Sequence, residues 1–150
     1  MSRRNHRYRA LALILGVLLL HGHAQAQSEE QWDRCYGIGV PAPNVQPPEL
    51  VIEGCSAVIQ SGIHRGRNLV VAFTNRGVGH RQTSQRDLAF ADFDQAIALD
   101  ADYLPAYEQR GSLYWDIGDF EHARQDLDRI IRLKRREVEP SAMEAGLERQ

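Results

Sequence analysis

Histidines, close-set carboxylates and a pair of cysteines are the side chains of this 150-residue chain that could do chemistry. His64, His80 and His122 are the imidazoles that could gather a metal. They are read as lying on a loop and on two different helices. None has a partner four residues away, the spacing that puts two ligands on one helical face. His80 reads as a packed core residue and His122 as a surface residue near a helix start. Asp92/Asp94 and Asp126/Asp128 are close in sequence, but residues two apart on a helix do not share a face, so neither pair forms an acid–base couple. A Gly-rich phosphate loop and a serine elbow are both lacking. The sequence therefore reads as a non-enzyme with no metal and no cofactor. A small hydrolase is the rival, and it would need a cleft with perturbed titratable groups.

Cys35 and Cys55 belong with the way the chain begins. Arg3, Arg4, Arg7 and Arg9 form a basic start without an acid; an apolar run covers Ala10 to Leu20, and Ala24-Gln25-Ala26 is a small-x-small cleavage pattern. A membrane span needs about 20 apolar residues, so this shorter run reads as a removable export signal over residues 1–26. An uncleaved amphipathic or anchoring helix is the alternative. No cysteine stands at the cleavage point to carry lipid. The expectation is an exported, soluble protein of the bacterial periplasm, without stable membrane insertion after cleavage. Both cysteines would then meet an oxidising compartment, where they permit one intramolecular bridge. Two free thiols or an intermolecular link are the alternatives to it.

Charge narrows the partners. The chain has 18 Lys+Arg and 20 Asp+Glu, and losing the signal removes four arginines and no acids, which leaves 14 against 20. A net of −6 on the remainder argues against a phosphate-backbone partner, hence against nucleic acid. The local run Arg132, Lys134, Arg135, Arg136 reads as cations complementing the dipole at a helix C-terminus.

These residues must be positioned by helices, because the chain repeats itself every 34 residues. Phe73-Thr74-Asn75-Arg76-Gly77 returns as Tyr107-Glu108-Gln109-Arg110-Gly111; Ala89 returns as Ala123 and Leu99 as Leu133. Such a period holds two short helices and a turn, neither of which can bury its apolar face alone. Helices are expected from Asn68 to about Gln82, then to Leu99 after a capping box at Ser84-Gln85-Arg86-Asp87. A third is expected to be capped by Asp100 or Asp102 with Pro105 in its first turn, and a fourth by Asp119 after the break at Gly118. Ahead of them, Pro48 to about Ser61 is an earlier helix ended by Gly62, with Val51, Ile52, Cys55, Val58 and Ile59 on one face. It matches Ala89, Phe90, Phe93, Ala96 and Ile97, and the connection after it is about four residues longer than the period allows. The expected organisation is a signal at 1–26, an irregular segment at 27–47, the repeat domain at 48–134 and a C-terminal cap at 135–150. In that cap Pro140 ends the preceding helix, and Ser141 to Arg149 form a short amphipathic one with Met143 and Leu147 inward.

This pattern resembles the tetratricopeptide repeat, carried by Phe73, Arg76-Gly77, His80, Ala89 and Phe93 and again by Tyr107, Arg110-Gly111, Tyr114, Ala123 and Leu127. The resemblance covers about residues 70–134. It implies an all-α solenoid of helical hairpins: about two full repeats, a preceding half-repeat and a C-terminal capping helix. Arg76 and Arg110 stand where the family has Leu, and Ala101 where it has Pro. Each arginine has an aspartate 16 residues on, so Arg76–Asp92 and Arg110–Asp126 are candidate ion pairs joining the helices of a unit. The alternative is that these arginines face a ligand carboxylate. The family implies a scaffold whose concave face, made by the first helix of each unit, binds a peptide or another protein. Placed here, that face includes Val71, Thr74, Val78, Arg81 and Gln82 of the first unit and Glu108, Ser112, Trp115 and Asp116 of the second. Trp115 is either an anchor for a partner or a cover for a neighbouring helix. Self-association through the stack ends, giving a homodimer, is the second expectation for the binding mode.

Overall fold

A computed structural model describes residues 29–36 and 46–147, with side chains through Val138. The signal expected at 1–26 and the Gly/Pro-rich stretch 37–45 lie outside the described residues. Every described element is a helix: α1 (29–36), α2 (Pro48–Gln60), α3 (Arg67–Gln82), α4 (Arg86–Leu99), α5 (Leu104–Asp116) and α6 (Phe120–Leu147). Consecutive helices from α2 onward pack on one another, and α3 also touches α5. Short connections make neighbours antiparallel, so the hairpins α3/α4 and α5/α6 lie side by side with first helix against first helix. The repeat domain is thus an all-α hairpin solenoid.

The core is a string of small clusters. Cys35, Val51, Cys55, Val58 and Ala72 tie α1 and α2 to α3. Val70, Ala96 and Ala106 join α3, α4 and α5, and Ala89, Phe93 and Leu113 join α4 to α5. Each cluster draws on adjacent hairpins, as a solenoid requires. Close approach within the first unit depends on Gly77, where an added Cβ would come within 2.5 Å of the Phe93 ring.

Four expectations change. The segment before Pro47 is not wholly irregular, because 29–36 is helical; Trp32 and Cys35 pack from it onto α2, and Glu30 pairs with Arg34 one turn on at 2.7 Å. The half-repeat is therefore a stapled hairpin of α1 and α2. Ser84 does not cap α4. It takes φ 62°, the left-handed residue closing α3, and the Gln85 N–H returns to the His80 carbonyl at 2.8 Å. One residue cannot end one helix in that conformation and cap the next in an extended one. Asp100 and Asp102 do not cap α5 either: Tyr103 holds that position. Asp100 instead accepts the Asp102 N–H at 3.0 Å, folding the turn, and Asp102 pairs with Arg129 and Arg136. Finally, Pro140 does not end the fourth helix, and no separate capping helix follows; α6 runs 28 residues to Leu147. A proline inside a helix removes one backbone bond and crowds the preceding turn, and here good helix formers flank it on both sides.

The remaining boundaries follow their local chemistry. Pro48 and Pro105 sit in first turns, Gly62 and Gly118 take φ of 64° and 82° past helix ends, and Asp119 accepts the His122 N–H at 3.2 Å as the cap of α6.

Candidate functional site

The first helix of each unit presents one arginine inward. Arg76 grips Asp92 through Nε and Nη2, at 3.0 and 2.6 Å, and its Nη1 reaches Ser56 of α2 at 3.4 Å. Arg110 repeats the arrangement on Asp126, at 3.0 and 2.7 Å, with Nη1 on Asp94 of α4. Each guanidinium thus ties its own second helix to the second helix of the preceding unit. Arg110 and Asp94 are 16 apart and Arg76 and Ser56 are 20 apart. That difference of four is the extra length of the connection after α2, which places α2 as the second helix of an earlier unit. Burial pulls the Arg110 pKa down, but the bonds to Asp126 and Asp94 outweigh it and raise it above the ordinary value. Asp92 and Asp126 are buried and bidentate, so their oxygens are committed to structure. Neither they nor the arginines stand open to a ligand.

His80 is buried, with Nδ1 3.1 Å from Gln85 Oε1 and Nε2 3.6 Å from Asp92. His122 is exposed and stacks on Tyr114 at 4.9 Å. Hydrogen bonds from the His122 backbone N–H, then from its ring, hold the Asp119 carboxyl below its usual range. Among the described residues no three potential ligands gather for a metal. Cys35 and Cys55 form a disulfide, joining α1 to α2.

The groove residues divide. Thr74 is a correction: it is 4% exposed and its hydroxyl donates back to the Val70 carbonyl at 2.9 Å. Val70, one turn earlier on the same face, packs on Ala96 and Ala106, so this position faces α4 and α5 rather than a partner. Val71 is half-buried and lines neither large hollow. Val78, Arg81, Gln82 and Asp116 line a shallow hollow between α3 and α5. Arg81 crosses it to Asp116 at 2.9 Å and to Gln109 at 3.3 Å.

The larger hollow, about 500 Å³, lies between α5 and α6 at the end of the stack. Glu108, Ser112, Trp115 and Asp116 line it, joined by α6 residues absent from the sequence expectation: Ala123, Leu127, Ile130 and Lys134. Its floor is apolar. Its rim is ionic, with Arg81–Asp116 at 2.9 Å and Glu108–Lys134 at 3.6 Å. Trp115 stands at the edge, 65% exposed and edge-on to Phe120 at 4.9 Å. The missed signal was the repeat itself. Ala89, Phe93 and Ala96 are covered by the next hairpin, whereas among the described residues no further hairpin meets their equivalents 34 residues on. Phe93 is 0% exposed and Leu127 is 53% exposed.

Such stacked hairpins, with an apolar trough left between the last two helices, define a helical-repeat protein. Residues 104–137, which are α5, the turn and the first part of α6, match the family model of the tetratricopeptide repeat. The chain thus carries a tetratricopeptide repeat at α5 and the first part of α6, and the hairpin before it has the same arrangement. No curated protein and no solved structure matches the chain. Tetratricopeptide repeats generally mediate protein–protein interaction.

Proposed function

We propose that this protein is a non-catalytic interaction module of the bacterial cell envelope, and that its docking surface is the trough between α5 and α6. One observation carries this reading: Phe93, which unit one buries under its neighbour, has its equivalent Leu127 open in unit two, at a trough of about 500 Å³. An apolar floor inside a polar rim is the anatomy of a protein-binding patch. Trp115, at its edge, is the kind of side chain that anchors partners. The basic, apolar and small-x-small stretches at the start of the chain support export, and the acidic remainder supports a protein partner over nucleic acid. A hydrolase is disfavoured because the buried carboxylates are clamped by arginine.

The test is crosslinking and affinity capture from the cells that make the protein, with wild type and with Leu127→Glu and Trp115→Ala. Both side chains are exposed, so the array should remain folded. Partners captured by wild type and lost from the variants support the reading. An unchanged set of partners moves the binding surface elsewhere.

A further inference from the structure

The occupant of the trough is written in the chain's own period. The element covering unit one is α5, 13 residues from Leu104 to Asp116, reached from α4 by a four-residue turn. Adding 34 places a four-residue turn at 134–137 and a 13-residue element at 138–150. The α5 residues that meet unit one include Ala106 and Leu113, with Gln109 bonded to Arg81 between them. Their equivalents are Pro140, Leu147 and Met143. Residues 138–147 thus have the spacing of the missing cover.

They do not lie in their own trough. α6 has 28 residues where α4 has 14, and it continues unbroken through the position of the turn. Lys134-Arg135-Arg136-Glu137 offers no Gly, Pro, Asn or Asp to break it. Arg136 reaches Asp102 in the turn before α5 at 3.2 Å, so the helix beyond it runs past the end of its hairpin. Among the described residues of α2–α6, α6 packs on α5 alone, and residues 134–138 are all exposed. At about 1.5 Å per residue, 138–147 stand a further 15 Å or so along the axis. A helix that does not turn back cannot cover the trough beside its own first half.

A second copy can. We propose that this protein forms a two-fold dimer by exchange: the distal half of α6 from one copy lies in the α5/α6 trough of the other, and the reverse. The direction agrees. A cover equivalent to α5 must run antiparallel to α6, and a two-fold axis across α6 makes its symmetry mate antiparallel. Such an interface is isologous and closed, burying both troughs and both helix ends. The proposal rests on the reading of the trough as a docking surface and names its occupant.

The test is sedimentation equilibrium of the purified full-length protein and two single variants, Leu127→Glu in the trough and Leu147→Glu in the tail. Wild type is expected to be a dimer. Each variant puts a carboxylate into both exchanged contacts and should weaken the dimer at least about tenfold, with helicity retained in circular dichroism. Mixed together, they should dimerise more tightly than either alone, because the mixed pair keeps one intact tail-in-trough contact and confines both charges to the other. A wild-type monomer at all concentrations overturns the exchange. So does a dimer indifferent to Leu127→Glu, or one that mixing fails to restore, since troughs packed face to face would give no rescue. In each case the trough is judged separately: Leu127-dependent capture of another protein would leave it a docking surface with a different occupant.

Discussion

Asp92 and Arg76 show how a family position normally given to an apolar side chain can hold a charge. The pair is nearly buried, with Asp92 6% and Arg76 21% exposed, so its attraction is offset by the cost of removing both groups from water. Removing one partner strands the other: Asp92→Ala should cost about 3–5 kcal/mol in chemical denaturation. Replacing both, as Arg76→Leu with Asp92→Leu, should recover most of that loss. Recovery in the double variant separates a structural pair from arginines held for a ligand. The glycines make a second prediction. A Cβ at Gly77 would press into the Phe93 ring at 2.5 Å, whereas at Gly111 it would meet the Asp126 Cβ at 3.2 Å. Gly77→Ala should therefore destabilise by about 1–3 kcal/mol. At Gly111→Ala, a gain of about 1 kcal/mol in helix propensity should offset most of the strain. The spacing of 16 made the arginine–aspartate pairs legible in sequence. Thr74 was not, because periodicity says which side of α3 faces α4 but not that α5 would close the hollow beside it.

Elements were legible where their end signals were unshared. Pro48, Pro105, Gly118 and Asp119 each have one task, and the structure uses them for it. Ser84 and Asp100 were misread because one short turn must both end a helix and start the next, and the ending prevailed. The helix 29–36 was hidden by the glycines and prolines that follow it, although Glu30 and Arg34, and Trp32 and Cys35, stand at helical spacings. A short helix of eight residues is marginal alone, which gives the Cys35–Cys55 bridge its purpose. Closing a loop of this size contributes roughly 3 kcal/mol in the chain-entropy model. Reduction should lower the melting temperature and release α1 first, seen as early amide exchange over 29–36. At the other end, the Asp119 carboxyl lies below its usual range through its bonds to His122. Its contribution is present above the unfolded-state pKa and is lost as pH falls through the lower folded-state value. The first turn of α6 should fray in acid before the remainder of the helix, as amide exchange at His122 and Ala123 would report.

As a whole, the molecule is a short stack with unequal ends. The α1/α2 end is stapled by a disulfide and roofed by the stacked rings of Trp32 and His64, 4.9 Å apart. The α5/α6 end carries Trp115, Phe120, Leu127 and Ile131 to the surface. The period of 34 residues implies that hairpins stack and roughly where. It could not say that the last helix would run on rather than fold back, because that depends on four residues with no strong turn preference. The open trough is a consequence of that one unbroken helix.

The most direct test compares two residues 34 apart. Phe93 and Leu127 hold the same place in successive units, one roofed by the next hairpin and the other open. Phe93→Glu and Leu127→Glu should be measured by circular dichroism and denaturant unfolding at high dilution. The account predicts that Phe93→Glu loses the cooperative fold, while Leu127→Glu unfolds within about 0.5 kcal/mol of wild type, as an exposed position allows. Equal losses in the two variants would mean that the trough is filled within the monomer, and the docking surface proposed for this protein would not exist.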